Sequence, residues 1–112
     1  MHGIVHFDIP AKDLERQGAF YGELFYWKTR PSGDYLLVNP PEGLGGGLDP
    51  RGQAPVLYIE VEDIEAKLGE IEALGGKTVL PETVIAAGDG GDNGRLALFT
   101  DPEGNLLGLW SK

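Results

Sequence analysis

The chain has 112 residues, of which 41 % are hydrophobic, so it is long and apolar enough for one folded domain and disorder is excluded. Nine Lys and Arg stand against 18 Asp and Glu, and the net charge of −9 argues against nucleic acid and anionic membrane as partners. The absence of cysteine excludes disulfides, thiolate metal sites and cysteine nucleophiles.

The N-terminal sequence predicts a strand and no targeting segment. MHGIVHFDIP has no basic stretch followed by a long apolar run, so it does not read as a secretory signal. No apolar run approaches the roughly 20 residues of a membrane span, and we expect a cytoplasmic protein. Residues alternate over Gly3–Ile9, with His6 and Asp8 on one face of the strand and Phe7 and Ile9 on the other.

The rest of the first half predicts one helix and three further strands. Asp13 is a plausible N-cap, because its carboxylate can accept a hydrogen bond from a free amide in the first helical turn. Short strands are expected near Lys28 to Pro31 and at Tyr35 to Asn39. The turn Pro40 to Gly47 leads into a glycine-rich strand, where missing side chains allow a close approach to the backbone.

The second half follows the linker Gly52 to Pro55 and predicts the same kinds of element. Pro81 favours an edge position for the strand that contains it, because proline cannot donate to a neighbouring strand. The expected elements are a strand at Val56–Val61, a helix capped by Asp63 and ended by Gly75-Gly76, a strand at Thr78–Ala86, a flexible hairpin loop at Ala87–Gly94, and strands at Arg95–Thr100 and Asn105–Trp110 joined by the turn 101–104.

The two halves repeat each other, which predicts a duplicated module. At an offset of 50, Ile9, Asp13, Glu15 and Leu24 recur as Ile59, Asp63, Glu65 and Leu74; at an offset of 61, Pro41-Glu42-Gly43 recurs as Pro102-Glu103-Gly104 and Gly47-Leu48 as Gly108-Leu109. We therefore expect a single domain over residues 1–112, with module one at about 1–51 and module two at about 52–112. The alternation of helices with hairpins predicts an α+β fold with the helices on one face of the sheet.

Four phrases of the sequence together resemble the vicinal oxygen chelate superfamily, which contains glyoxalase I, bleomycin and fosfomycin resistance proteins and extradiol dioxygenases. The phrases are His6–Ile9, Phe20–Trp27, Tyr58–Ile64 and Phe99–Asn105, and the ending Gly108-Leu109-Trp110 is similar to small bacterial glyoxalase-like proteins. The resemblance implies two βαβββ modules whose curled antiparallel sheets form a cup with the ligand inside. It also implies a homodimer.

The resemblance further implies a divalent metal held at four places, one on the first and one on the last strand of each module. The internal repeat puts these places at His6, Gly47, Val56 and Gly108. Only His6 can bind a metal, whereas such ions require several ligands at once. We therefore predict no metal site and no cofactor, and disfavour zinc or nickel.

Five further residues are expected to line the cup, because alternate side chains of a strand share a face. They are Asp8, Asp49, Tyr58, Glu60 and Trp110. Asp8 and His6 form a candidate proton relay, or instead a buried histidine beside a capping carboxylate. Tyr58 and Trp110 are candidates for stacking on a flat ligand, or instead for core packing.

These features predict a glyoxalase-like protein that binds a small organic ligand, with a degenerate metal site and without standard metal-dependent catalysis. Whether it catalyses a reaction stays open. One alternative is a metal-dependent lyase or dioxygenase with a displaced ligand set, in which His6 acts with Asp8, Asp49 or Glu60. Another is an antibiotic-sequestering resistance protein, for which an acidic cup suits a cationic ligand.

Two further segments carry expectations. The segment Gly88–Arg95 has the composition of a calcium loop but not its spacing, so we predict a flexible hairpin. The alternative, in the fold that the resemblance implies, is a lid over the cup mouth with Arg95 available to an anionic ligand. The aromatic residues of the first helix are expected in the core or in a subunit interface. They are Phe20, Tyr21, Phe25 and Trp27.

Overall fold

The computed structural model of the protein describes residues 1–86 and 92–112. Within these residues the elements run β-α-β-β-β twice, which confirms the predicted α+β class of two βαβββ modules. The elements are β1 (Ile4–Pro10), α1 (Leu14–Phe25), β2 (Lys28–Ser32), β3 (Tyr35–Asn39), β4 (Gly46–Asp49), β5 (Val56–Glu60), α2 (Ile64–Ala73), β6 (Lys77–Ala86), β7 (Asp92–Thr100) and β8 (Leu106–Ser111).

The chain divides into two compact units with equivalent strand orders. The first unit is Val5–Val56, and the second combines Met1–Ile4 with Leu57–Lys112. The strand order is β1-β4-β3-β2 in the first unit and β5-β8-β7-β6 in the second. Only the hairpin pairs are antiparallel as predicted: β1 pairs with β4 in parallel, and β5 with β8. Two hairpin reversals bring the last strand of each unit back to the direction of the first.

In the first unit, α1 covers one face of the sheet. The helix begins where predicted, because the Asp13 carboxylate accepts a hydrogen bond of 3.0 Å from the Arg16 amide. Its apolar side packs on strand residues that alternate toward it. The core is built from Ala11, Val38 and Leu48, with Phe7, Ile9, Leu14, Tyr21, Trp27 and Leu36 packed around them. Of the four helix-associated aromatics, Tyr21 and Trp27 therefore belong to the core.

The second unit repeats this arrangement. The Asp63 carboxylate accepts a hydrogen bond of 3.0 Å from the Ala66 amide at the start of α2. The core beneath the helix is larger. It consists of Val61, Ile64, Leu68, Ala97, Phe99 and Leu109, with Ile59, Ile71 and Leu107 packed against it. Leu48 and Leu109 are equivalent by the offset of 61 and are buried in both units, at 0 % and 2 % exposure.

Strand β6 lies at the edge of the second unit, as Pro81 predicted. Its pairing with β7 shifts register between Leu80 and Thr83, on either side of that proline. Part of the predicted hairpin loop, residues 87–91, lies outside the described residues, and Asp92–Gly94 belong to β7. None of the helices in the described ranges is long and apolar enough to cross a membrane.

Candidate functional site

The strand register places the candidate residues of the first unit on the sheet face opposite α1. Asp8 pairs with Gly47, and Gly47 pairs in turn with Leu37. Leu37 pairs with Arg30 on the outer strand. Because alternate residues share a face, His6 lies on the same side as these four. The helix side of the same strands is apolar, so the two faces of this sheet have opposite character.

His6, Asp8 and Tyr35 form a hydrogen-bonded cluster on this face. His6 Nε2 lies 3.1 Å from Asp8 Oδ1 and 2.8 Å from the Tyr35 hydroxyl. The Tyr35 hydroxyl donates a short hydrogen bond to Asp8 Oδ1. The side chains of His6 and Asp8 are 31 % and 13 % exposed. A single assignment satisfies all three contacts: the Tyr35 O–H donates to the carboxylate, and the His6 Nε2–H donates to both oxygens.

Tyr35 occupies the space that a side chain at Gly47 would need. A Cβ at Gly47 would overlap with the Tyr35 hydroxyl and the ring carbon that bears it. The predicted close approach at the glycine-rich strand is therefore made by a tyrosine of the neighbouring strand. The sequence pattern marks Tyr35 only as the start of a strand and carries no signal for its contribution to the cluster.

In the second unit a tyrosine ring also covers a glycine of the last strand. Tyr58 pairs with Gly108, in the position where Asp8 pairs with Gly47 in the first unit. A Cβ at Gly108 would overlap with the Tyr58 ring. Tyr58 is 7 % exposed, so its ring is buried where it packs over Gly108. Both final-strand positions that the family resemblance assigned to metal ligands are therefore glycines covered by tyrosine rings.

The remaining predicted site residues make other contacts. The Asp49 carboxylate accepts a hydrogen bond of 2.9 Å from the Arg51 amide and also lies 3.4 Å from the Arg51 guanidinium. In the second unit, Trp110 Nε1 donates to the Asn93 carbonyl at 3.0 Å. Glu60 is half-buried, and its backbone bonds to His2 and Gly3.

Arg95, expected beside an anionic ligand, lies on β7 in the second unit. Its guanidinium is 3.1 Å from the Glu82 carboxylate. This ion pair binds the cation to the neighbouring strand β6, so Arg95 has a protein partner. The predicted role of Arg95 toward a ligand stays a prediction.

The donor set does not fit a divalent metal. In the described ranges, no group of three or more His, Cys, Asp or Glu side chains could hold a metal ion. His6 and Asp8 are potential ligands that contact each other on this face, and Tyr35 is hydrogen-bonded to both. Glycine at positions 47 and 108 supplies no donor. Such ions are held by at least three protein ligands in most sites, so these residues do not make up such a site.

A cavity of about 480 Å³ adjoins His6 within the first unit. Its basic residues are Lys28 and Arg30 on β2, and its lining includes Gly45 and Gly46. Leu37 and Asn39 of β3 lie directly opposite Arg30 and Lys28. The described residues around it are Val5, His6, Lys28, Thr29, Arg30, Leu37, Val38, Asn39, Gly45 and Gly46. None of them is acidic.

Solved structures with this fold include a glyoxalase/bleomycin resistance protein/dioxygenase superfamily member and a glyoxalase. Methylmalonyl-CoA epimerase from Mycobacterium tuberculosis aligns with a TM-score of 0.75 at 18 % identity, over 97 % of this chain and 87 % of that one. A superfamily member from Vibrio splendidus 12B01 aligns with a TM-score of 0.68 at 14 % identity, over 98 % of both chains. An Mn(II)-bound glyoxalase from Novosphingobium aromaticivorans aligns with a TM-score of 0.70 at 17 % identity, over 98 % of this chain and 38 % of that one.

Relatives in sequence carry related names. The chain is 38 % identical over 120 residues to the candidate glyoxylase CFP32 of Mycobacterium bovis and of Mycobacterium tuberculosis, which covers 92 % of this chain and 43 % of theirs. It is 27 % identical to a glyoxylase-like domain-containing protein of Didymella fabae, over 100 % of this chain and 96 % of that one. No family model matches. The chain belongs to the vicinal oxygen chelate superfamily, and it spans less than half the length of the mycobacterial relatives.

Proposed function

We propose that the protein binds a small organic molecule on the His6 face of its first unit and does so without a divalent metal. The observation that carries this proposal is the pair of tyrosine rings over Gly47 and Gly108. A neighbour of the same fold is a Mn(II)-bound glyoxalase. In this chain two of the positions that the family resemblance assigns to metal ligands are glycines without a donor, and tyrosine rings fill the space above both.

The cluster beside the cavity suits ligand recognition. His6, Asp8 and Tyr35 hold one another at hydrogen-bond distances, so their polar atoms are positioned before a ligand arrives. The adjoining cavity lies within the range of about 300–1,000 Å³ typical of small-molecule sites. A polar cluster at one side and the apolar Leu37 and Val5 in the lining provide both orientation and apolar contact.

A second candidate function is metal-independent proton transfer. It is favoured by the contact between His6 Nε2 and the Asp8 carboxylate, since a carboxylate beside an imidazole fixes the orientation of the ring. Tyr35 would hold the carboxylate in place. Proton exchange at a ligand, followed in deuterated water, should then disappear in both His6→Ala and Asp8→Asn. Exchange that persists in both variants contradicts this candidate.

Calorimetric titration with zinc and nickel tests the proposal, together with thermal stability in the presence of small organic compounds. We expect no saturable metal binding and a rise in melting temperature that grows with the concentration of a bound compound. His6→Ala should abolish that rise. His2→Ala is the matched control, because the His2 side chain is exposed and only its backbone pairs with Glu60. Stoichiometric metal binding that requires His6 would contradict the proposal.

We also propose a homodimer that involves the outer side of α1. Phe20, Leu24, Phe25 and Tyr26 are between 52 % and 76 % exposed and form an apolar surface at the end of the helix. Leu24→Glu should shift the sedimentation coefficient to that of a monomer. Leu74→Glu is the matched control, because Leu74 is its equivalent at the offset of 50 and is 81 % exposed. A wild-type monomer at all concentrations contradicts the proposal.

A further inference from the structure

The geometry points to a small organic anion as the ligand of this site, with its carboxylate or phosphate group held by Lys28 and Arg30. This inference rests on the proposed function, because it names the chemical class of ligand for the same cavity. It differs from the expectation that an acidic protein favours a cationic ligand. The net charge of the chain is −9, but the local charge of the cavity is positive.

Lys28 and Arg30 extend from the same face of β2. Lys28 pairs with Asn39 and Arg30 with Leu37, so both cations stand on the side of the sheet that carries His6. Alternate residues of a strand are about 7 Å apart. Two like charges at this spacing repel each other, and one anionic group placed between them removes that repulsion.

Neither cation has a partner in the described part of the chain. The ion pairs there join Arg51 to Asp34 and Asp49, Lys67 to Glu70, and Arg95 to Glu82. No hydrogen bond or ion pair of the Lys28 or Arg30 side chain is present among the described residues. Since acidic residues outnumber basic ones by two to one, a pair of unneutralised cations in a cavity without carboxylates is a specific local feature.

The rest of the lining defines the shape of the ligand. Val5 and Leu37 supply apolar surface, and Asn39 supplies an amide beside Lys28. Gly45 and Gly46, which have no side chains, contribute backbone to the lining. An anion with a small apolar body satisfies all three features: its charge meets Lys28 and Arg30, and its body lies on Leu37.

Four probes that share one aromatic ring test the inference: benzoate, phenyl phosphate, benzamide and benzylamine. Each is titrated into the metal-free protein while amide signals are followed by NMR. We expect benzoate or phenyl phosphate to shift the signals of Lys28, Arg30, Gly45 and Gly46, and the tighter of the two identifies the anionic group. Benzamide and benzylamine should leave these signals in place. Higher salt should weaken the binding of the two anions, because it screens their attraction to the cations.

Charge variants separate the cavity from the general charge of the protein. Lys28→Gln/Arg30→Gln should weaken binding of the anion by at least about tenfold, because charge-assisted hydrogen bonds are lost. Arg16→Gln/Lys77→Gln makes the same charge change at exposed positions outside the cavity and should leave the dissociation constant within about twofold of wild type.

The outcomes distinguish this inference from the proposed function. Equal binding of benzamide and benzoate at these residues overturns the anion inference and leaves metal-free ligand binding intact. Binding of anions that survives Lys28→Gln/Arg30→Gln also overturns it, as does a failure of every probe. Stoichiometric zinc or nickel binding through His6 overturns the proposed function itself.

Discussion

The two units share a scaffold but differ on one face of their sheets. On the helix side, Ile9 and Ile59 occupy equivalent positions, as do the buried Leu48 and Leu109. On the opposite side, equivalent positions carry different chemistry. The equivalent pairs are His6 and Val56, Asp8 and Tyr58, and Tyr35 and Leu96. The first unit therefore has a polar cluster where the second has apolar and aromatic side chains.

This difference shows which part of a duplicated module is constrained by folding. Side chains under a helix must fill a fixed volume, so both copies retain the same kinds of residue there. The opposite face is not needed to hold the helix. It can accept a histidine and a carboxylate in one copy and a buried tyrosine in the other. The titratable cluster of the first unit is thus a feature of one copy and not of the scaffold.

The largest expected effect concerns the helix-covered side of the sheets, which is similar in the two units. Leu48→Ala and Leu109→Ala should each lower the free energy of unfolding by about 2–5 kcal/mol, because each removes a fully buried side chain. Urea denaturation measures both. Leu57→Ala is the control, at 44 % exposure, and should cost under about 0.5 kcal/mol. A small loss for only one of the two buried leucines would break the equivalence.

The second-largest expected effect concerns the sheet face opposite the helices, where the two units differ. Gly108→Ala should lower unfolding free energy by about 2–3 kcal/mol, since its Cβ would meet the ring of Tyr58, which is 7 % exposed and cannot move easily. Gly47→Ala should cost less than half of this, because its Cβ meets the outer end of the half-buried Tyr35. Denaturation curves give both values.

A helical glycine provides the control for these two substitutions. A Cβ at Gly69 in α2 would meet nothing, so Gly69→Ala should stabilise the protein, by up to about 1 kcal/mol. If Gly47→Ala and Gly108→Ala cost the same, the tyrosines fill their positions in the same way and the contrast drawn between the units is wrong.

The helix caps should respond equally in both units. Asp13→Ala and Asp63→Ala each remove a carboxylate that accepts a hydrogen bond from an amide in the first helical turn. Each should lower the free energy of unfolding by about 1 kcal/mol, and asparagine at either position should restore most of it. Thermal denaturation of the four variants measures this. Unequal losses would show that the copies differ on their shared side as well.

The smallest expected effect concerns a turn that hydrogen bonds to a carboxylate stabilise in the second unit but not in the first. Gly43 and Gly104 have nearly the same φ, 85° and 86°, at the end of the repeated Pro-Glu-Gly turn. In the second unit Asp101 precedes this turn, and the Asn105 side chain and backbone amides lower the pKa of its carboxyl. In the first unit the equivalent residue is Pro40, which has no such group.

The direction of this shift fixes the pH dependence. Because the folded pKa lies below that of the unfolded chain, about 3.9, the contribution is fully present above that pH and is lost as pH falls through the folded value. NMR titration should find the Asp101 pKa below 3.9, and Asp101→Asn should flatten the dependence of stability on pH in that window. An Asp101 pKa at or above 3.9 would contradict this assignment.

Much of the fold was predictable from the internal repeat. The offsets of 50 and 61 make Asp8 equivalent to Tyr58 and Gly47 equivalent to Gly108, and the observed pairs Asp8–Gly47 and Tyr58–Gly108 agree with that equivalence. The role of Tyr35 was not predictable in this way. Its strand partner is Ser32, and it reaches Gly47 because its long side chain extends along the sheet.

Two other features depended on contacts that a sequence pattern does not contain. Asp49 shares the face of His6 by alternation, but its carboxylate bonds to the amide of Arg51 two residues later. Local turns of this kind compete with any distant partner. The basic cavity could not be predicted without the pairing of β2 with β3, because that pairing sets the face on which Lys28 and Arg30 lie.

We claim that tyrosine rings occupy the places, at Gly47 and Gly108, where the family resemblance expects metal ligands. Metal titration of the purified protein tests this claim most directly. Calorimetry with zinc and nickel, preceded by metal analysis of the protein as isolated, should give no stoichiometric ion and no saturable binding. His6→Ala and wild type should be indistinguishable. One tightly bound ion per chain in wild type, lost in His6→Ala, would contradict the claim.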